Sequence, residues 1–143
     1  MDEAQSDLVL YVFNCIKEIH GKTFIQKLFF ILMNQVKEIP QFEYFPYNYG
    51  PFSKELNQAV NDLIEEGYIS ETKVGEYFLY SITDKGSKVA EDQKTVNKDA
   101  KKQISQVCEH VKNLRPRELL EYVYKKYPES TVNSLLKREI FKS

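Results

Sequence analysis

The stretch Tyr77 to Ala90, YFLYSITDKGSKVA, constrains the fold most. A short alternating apolar run ends in Thr-Asp-Lys-Gly and passes directly into a helix-forming segment. Upstream, Gly67 to Thr72 is a second strand candidate, closed by Lys73-Val74-Gly75-Glu76. Two extended runs joined by a Gly-containing turn predict a β-hairpin. A strongly amphipathic segment, Pro51 to Glu66, precedes it, with Phe52, Leu56, Ala59, Val60, Leu63 and Ile64 on one stripe. Pro51 suits the first helical position, where its missing N–H costs no hydrogen bond, and Gly67 ends the helix.

Two further helices are expected before this unit. In Asp7 to Ile19, apolar residues recur at helical spacing, with Ser6 or Asp7 as the cap and Gly21 as the stop. Thr23 to Val36 is apolar over more than one face, which predicts a central position in the core, and Pro40 bars its continuation. The aromatic run Phe42 to Tyr49 holds Pro46 and fits an edge strand or structured loop. After the hairpin, apolar positions from Val89 to Leu114 predict one long helix, or two meeting across Thr95-Val96-Asn97. Pro116 opens a helix over Arg117 to Tyr127, and Ser130 or Thr131 can cap a last one reaching about Phe141.

Three helices followed by a hairpin is the chain order of a winged helix. The expected fold is therefore mainly α with a small β-hairpin. A winged helix-turn-helix domain covers residues 1–92 and a C-terminal helical subdomain covers 93–143.

Composition narrows the function classes. No apolar run approaches the roughly 20 residues of a membrane span, and the N-terminus lacks signal-peptide order, so a cytoplasmic protein is expected. The two cysteines, Cys15 and Cys108, form no disulfide framework. Cys15, His20, Cys108 and His110 would suit a metal by residue type, but spacings of five and two positions match no metal motif. Gly75 and Gly86 stand alone, so there is no phosphate-cradling loop, and no nucleophile–base motif occurs. No metal, no cofactor and no enzymatic activity are expected.

The net charge of −1 hides an asymmetry. Residues 1–90 carry 8 Lys/Arg and 13 Asp/Glu, a balance of −5, whereas residues 91–143 carry 12 and 8, a balance of +4. Electrostatics dominates nucleic-acid affinity, and an acidic amino-terminal portion opposes it.

The run TFIQKLFFIL from Thr23, followed by FEYFPYNYGPFSKELNQAVNDLIEEGYI to Ile69, resembles the YwgA-like family of small bacterial and archaeal winged-helix proteins. It is similar, more distantly, to the Panacea domain of the SocA antitoxins. The residues that carry the likeness are Gln26, Lys27 and Leu28; Phe42 to Phe45; Tyr49, Gly50 and Pro51; Phe52, Ser53 and Leu56; and Gly67, Tyr68 and Ile69. Leu120 to Tyr124 and Lys126 to Glu129 resemble the ending of YwgA-like chains. The resemblance implies a regulator that acts through protein contact, as an antitoxin does on its toxin.

Two sets of candidate residues follow. For a protein partner, Glu55, Asp62, Glu65 and Glu66 form an acidic face, and Tyr44, Tyr47 and Tyr49 supply rigid, partly polar contact area. For the alternative, a dimeric transcriptional regulator on duplex DNA, Lys54, Asn57, Gln58 and Asn61 on the Pro51–Glu66 helix, with Lys73 on the wing, would face the groove, and the basic C-terminal third would supply phosphate contacts. The same acids can equally form a solvated face, and the aromatics can pack the base of the helix. The apolar stripe over residues 96–114 serves either a homodimer or packing within the chain.

Overall fold

The computed structural model describes residues 2–47 and 50–128. Within them, six α-helices accompany two small antiparallel sheets, one of three strands and one of two. The expected last helix, and Tyr49, lie outside the described residues.

The first helix, α1, spans Glu3–Ile16, and its cap is Asp2, whose side chain accepts from the N–H groups of Ala4 and Gln5. The expected caps are displaced inward: Ser6 is buried and its Oγ donates to the Asp2 carbonyl oxygen (3.1 Å). The helix also ends earlier than the apolar pattern suggests. Lys17 adopts φ 70° and donates its N–H to the Phe13 carbonyl oxygen. This left-handed residue turns the chain, so Glu18–His20 becomes a strand, β1, instead of a last helical turn. Ile19 is buried from the sheet, not from a helix.

Helix α2, Lys22–Gln35, runs through the middle of the molecule with Leu28, Phe29 and Leu32 fully buried, as its two-faced apolar pattern predicts. The aromatic run then forms a short strand, β2 (Phe45–Tyr47), paired antiparallel with β3 (Gly50–Phe52). Pro51 therefore stands in a strand and not at the start of a helix. The third helix, α3, covers Lys54–Glu65, capped by Ser53, whose Oγ accepts from the Leu56 N–H. Ser53 wins because its hydroxyl satisfies a free helix donor, worth about 1 kcal/mol, which Pro51 cannot do.

The predicted hairpin is present: β4 (Ile69–Val74) and β5 (Tyr77–Ile82) pair antiparallel, with Val74 opposite Tyr77 across Gly75-Glu76. Strand β1 adds to the other edge of β5, giving the order β1-β5-β4. Thr83 caps α4 (Asp84–Asp92), accepting from the Gly86 N–H. The apolar stretch that follows resolves into two helices. Asn97 caps α5 (Lys98–Val111), and the buried Val96 plugs the corner between α4 and α5. Pro116 is the first residue of α6 (Pro116–Lys126), as expected.

Helix α1 packs against α4 and α5, and α2 packs against α5 and α6. Val96, Ala100, Ile104, Val107 and Val111 join the same core as Leu8, Phe13 and Leu28. The stripe over 96–114 thus covers α1 and α2 of its own chain, and its charged side faces outward.

Candidate functional site

The amino-terminal end of α2 is flanked by both hairpins, and this arrangement begins with two polar residues inside an apolar helix. Gln26 and Lys27 are 3% and 4% exposed. The Gln26 amide grips Ser53 at both backbone groups: its Nε2 donates to the Ser53 carbonyl oxygen (2.9 Å) and its Oε1 accepts from the Ser53 N–H (2.8 Å). Lys27 Nζ donates to the Pro51 carbonyl oxygen (2.6 Å). The Gln-Lys pair thereby fastens β3 and the start of α3 to α2. Gly50 makes the close approach possible: its φ is +100°, and a Cβ there would lie 2.9 Å from the Tyr124 ring and 3.4 Å from Lys27 Nζ.

Between these elements lies a cleft of about 420 Å³, lined by Lys22, Gln26, Lys27, Tyr47, Phe52 and Lys54, with Thr23 and Gly50. A second cleft, of about 520 Å³, opens on the other side of α2's first turn. His20, Phe24, Tyr77, Leu114 and Arg115 are among its walls, and Thr23 borders both clefts. Tyr47 lines the first cleft and Tyr77 the second, and the exposed Phe45 on β2 and Val74 and Phe78 on β4–β5 belong to the same two hairpins. Tyr77 rests edge-on against His20, and Tyr47 edge-on against Phe52.

The sequence-derived candidates fall into distinct surroundings. Tyr44 is half-buried, edge-on to Phe30, and its hydroxyl donates to the Gln26 carbonyl oxygen (2.7 Å), so burial pushes its pKa well up. It braces the site from beneath. Tyr47 is on the rim. Glu55 is exposed, but its Oε1 accepts from the Glu43 N–H (2.7 Å), tying the aromatic segment to α3. Asp62 accepts from Gln58 Nε2 and Asn61 from Lys22 Nζ (2.9 Å). Lys54, Glu65, Glu66 and Lys73 are exposed, and Asn57 is half-buried. Along α3, then, the cation stands at the cleft end and the two free-standing acids at the opposite end.

Sequence patterns did not bring Lys22 and Lys27 into a site. The available signal was the polar Gln-Lys pair interrupting an apolar helix, a position that an unpartnered lysine would not occupy cheaply.

Burial pushes the Lys27 ammonium down to about 8. Among the described residues no carboxylate lies within ion-pairing distance of it. The unfolded chain binds this proton up to about the usual 10.5. The folded state is therefore disfavoured at low pH, and stability recovers as pH rises from 8 toward 10.5, by about 3 kcal/mol in full at roughly 1.4 kcal/mol per pH step. Burial also pushes the Cys108 thiol up to about 12, which opposes the gain once unfolded thiols ionise near 9. Urea melts should thus show stability rising between pH 7.5 and 9 in the wild type and flat in Lys27→Met. A parallel pH dependence in the two proteins would contradict this account of Lys27.

Among the described residues no cluster of three metal-ligating side chains exists, and no helix is long and apolar enough to cross a membrane.

Residues 12–128 match the family model described as "Antitoxin SocA-like, Panacea domain". The chain is also 33% identical, over 84 residues, to "Uncharacterized protein YwgA" of Bacillus subtilis (strain 168). That alignment covers 55% of this chain and 49% of YwgA, so the chain spans about half the length of the curated relative it matches. No solved structure matches significantly.

Proposed function

The chain belongs to the antitoxin SocA-like, Panacea domain family, and from that premise we propose that it is a non-enzymatic regulator that acts in the cytoplasm by binding a partner protein. One observation carries this: the large exposed apolar side chains gather at two hairpins, on either side of one helix end. Exposed aromatic clusters with concave ground between them suit a protein hot spot, where large rigid side chains fill pockets at little entropic cost.

In this proposal the α3–β4–β5 unit is a winged helix put to protein recognition, within a domain ending near residue 92, and the helices described over 93–128 belong to a C-terminal subdomain that braces it. Tyr47 supplies contact area, Tyr44 supports it, and Glu55 fixes the aromatic segment in place. Asp62, Glu65 and Glu66 steer a partner with a basic patch. Duplex DNA is the weaker alternative: Asn61 and Gln58 are engaged within the chain, and Val74, Tyr77 and Phe78 crowd the wing beside Lys73.

Steering acts mainly on association rate. With the partner in hand, Glu65→Lys/Glu66→Lys should slow association several-fold at low salt and leave dissociation nearly unchanged. Unaltered association kinetics would remove the acidic end of α3 from the interface.

A further inference from the structure

The 420 Å³ cleft lies between the start of α2, the β2–β3 hairpin and the start of α3. Lys27, 4% exposed, is part of its lining, and its ammonium has one acceptor among the described residues, the Pro51 carbonyl oxygen. An ammonium has three donors, so two have no partner among the described residues and can turn to a ligand. Lys22 and Lys54 stand at the edge. The first turn of α2 has no side-chain cap on its N–H groups, which adds partial positive charge from the same side. Phe52 and Tyr47 form an aromatic wall, set edge-on to each other at 5.6 Å between centroids.

We propose that this cleft is a carboxylate-binding subsite for an acidic peptide segment of the partner, with an Asp or Glu side chain reaching Lys27 and a neighbouring apolar residue lying on Phe52 and Tyr47. The proposal rests on the protein-binding function above and names the chemistry its partner must carry. The recess decides between carboxylate and nucleic-acid phosphate. A duplex backbone is a wide convex surface and cannot lower a phosphodiester onto a lysine buried to this depth, whereas an acidic side chain on an extended peptide can. The volume lies in the range of ordinary ligand pockets, about 300–1,000 Å³, enough for two or three side chains. A buried lysine without a carboxylate is costly to keep in a fold, and a ligand carboxylate removes that cost when it binds.

Among the described residues, the titratable groups that line the cleft with Lys27 are Lys22 on its own helix, Lys54 on α3 and Tyr47 on β2, with Tyr124 on α6 behind Gly50. None of these contributes an anion at neutral pH, so bound carboxylate stabilises the protonated lysine. With the ammonium held down to about 8 when the cleft is empty, affinity should fall as pH rises beyond that value.

The test uses an N-acetylated, C-amidated heptapeptide of alternating Glu and Phe, its Gln counterpart, inorganic phosphate and a short DNA duplex, each titrated into the full chain with amide resonances recorded. The Glu peptide should saturate and shift Thr23, Gln26 and Phe52, the Gln peptide should bind at least tenfold more weakly, and the Glu affinity should drop between pH 7 and 9. Lys27→Met should cost at least tenfold in Glu-peptide affinity without lowering the melting temperature. Should that variant fail to fold, Lys54→Gln must weaken the Glu peptide and spare the Gln peptide. Equal affinity for the two peptides overturns the proposal. So does saturation of the same resonances by phosphate or duplex alone, or indifference to both lysine variants. If the Glu peptide fails yet the partner protein is still retained by Lys27→Met, the subsite claim falls alone and the protein-binding function stands.

Discussion

Gly86→Ala should destabilise the protein by about 3 kcal/mol, seen as a fall in melting temperature on the order of 10 °C. Helix propensity alone predicts the opposite, a gain of up to about 1 kcal/mol, because Gly86 lies inside the first turn of α4. Contact geometry overrides it. A Cβ at Gly86 would sit 2.2 Å from the Tyr68 carbonyl oxygen and 2.9 Å from the Ile82 side chain. That carbonyl already accepts from both the N–H and the hydroxyl of Thr83, the cap of α4. To admit a methyl group, α4 must lift off the root of the hairpin, breaking the cap and disturbing its packing on α1. Chemical denaturation of Gly86→Ala decides the matter by sign: a variant as stable as wild type would mean that α4 does not dock as closely as described.

Tyr47→Ala/Tyr77→Ala should lower partner affinity by about 100-fold, since removing a central interface aromatic typically costs 2 kcal/mol or more. The two residues sit on different hairpins, separated in sequence and joined only by the surface around Thr23. Both are substantially exposed, so stability should change by less than about 1 kcal/mol. Loss of affinity with an unchanged melting temperature is the signature expected. Full retention of the partner by the double variant would show that the aromatic rims are not the contact surface.

What the sequence disclosed follows the range of the interactions involved. The β4–β5 hairpin, the stop at Gly67, the entry at Pro116 and the central place of α2 depend on neighbours a few residues away, and patterning reveals them. Ile19 reads as helical in the sequence because its apolar spacing continues that of Ile16, and a three-residue strand is too short to show alternation. Only the pairing of Ile19 with Tyr80 makes it a strand. Pro51 reads as a helix start because proline suits that position as well as it suits an edge strand. The deciding contact, Gln26 on Ser53, spans 27 positions. The stripe over 96–114 was visible, but whether it faced a second copy or α1 was not. The cleft was the least legible of all: Lys22, Lys27, Tyr47 and Lys54 share no periodicity and meet only through the packing of β3 on α2.

The central claim is that this surface recognises a protein, and the most direct measurement is affinity capture from native lysate, with and without nuclease, using the wild type and Tyr47→Ala/Tyr77→Ala in parallel. The account predicts one protein recovered near equimolar ratio from wild type, undiminished by nuclease and absent from the double variant. Recovery of DNA fragments sharing one sequence, lost on nuclease treatment and unaffected by the double substitution, would contradict it.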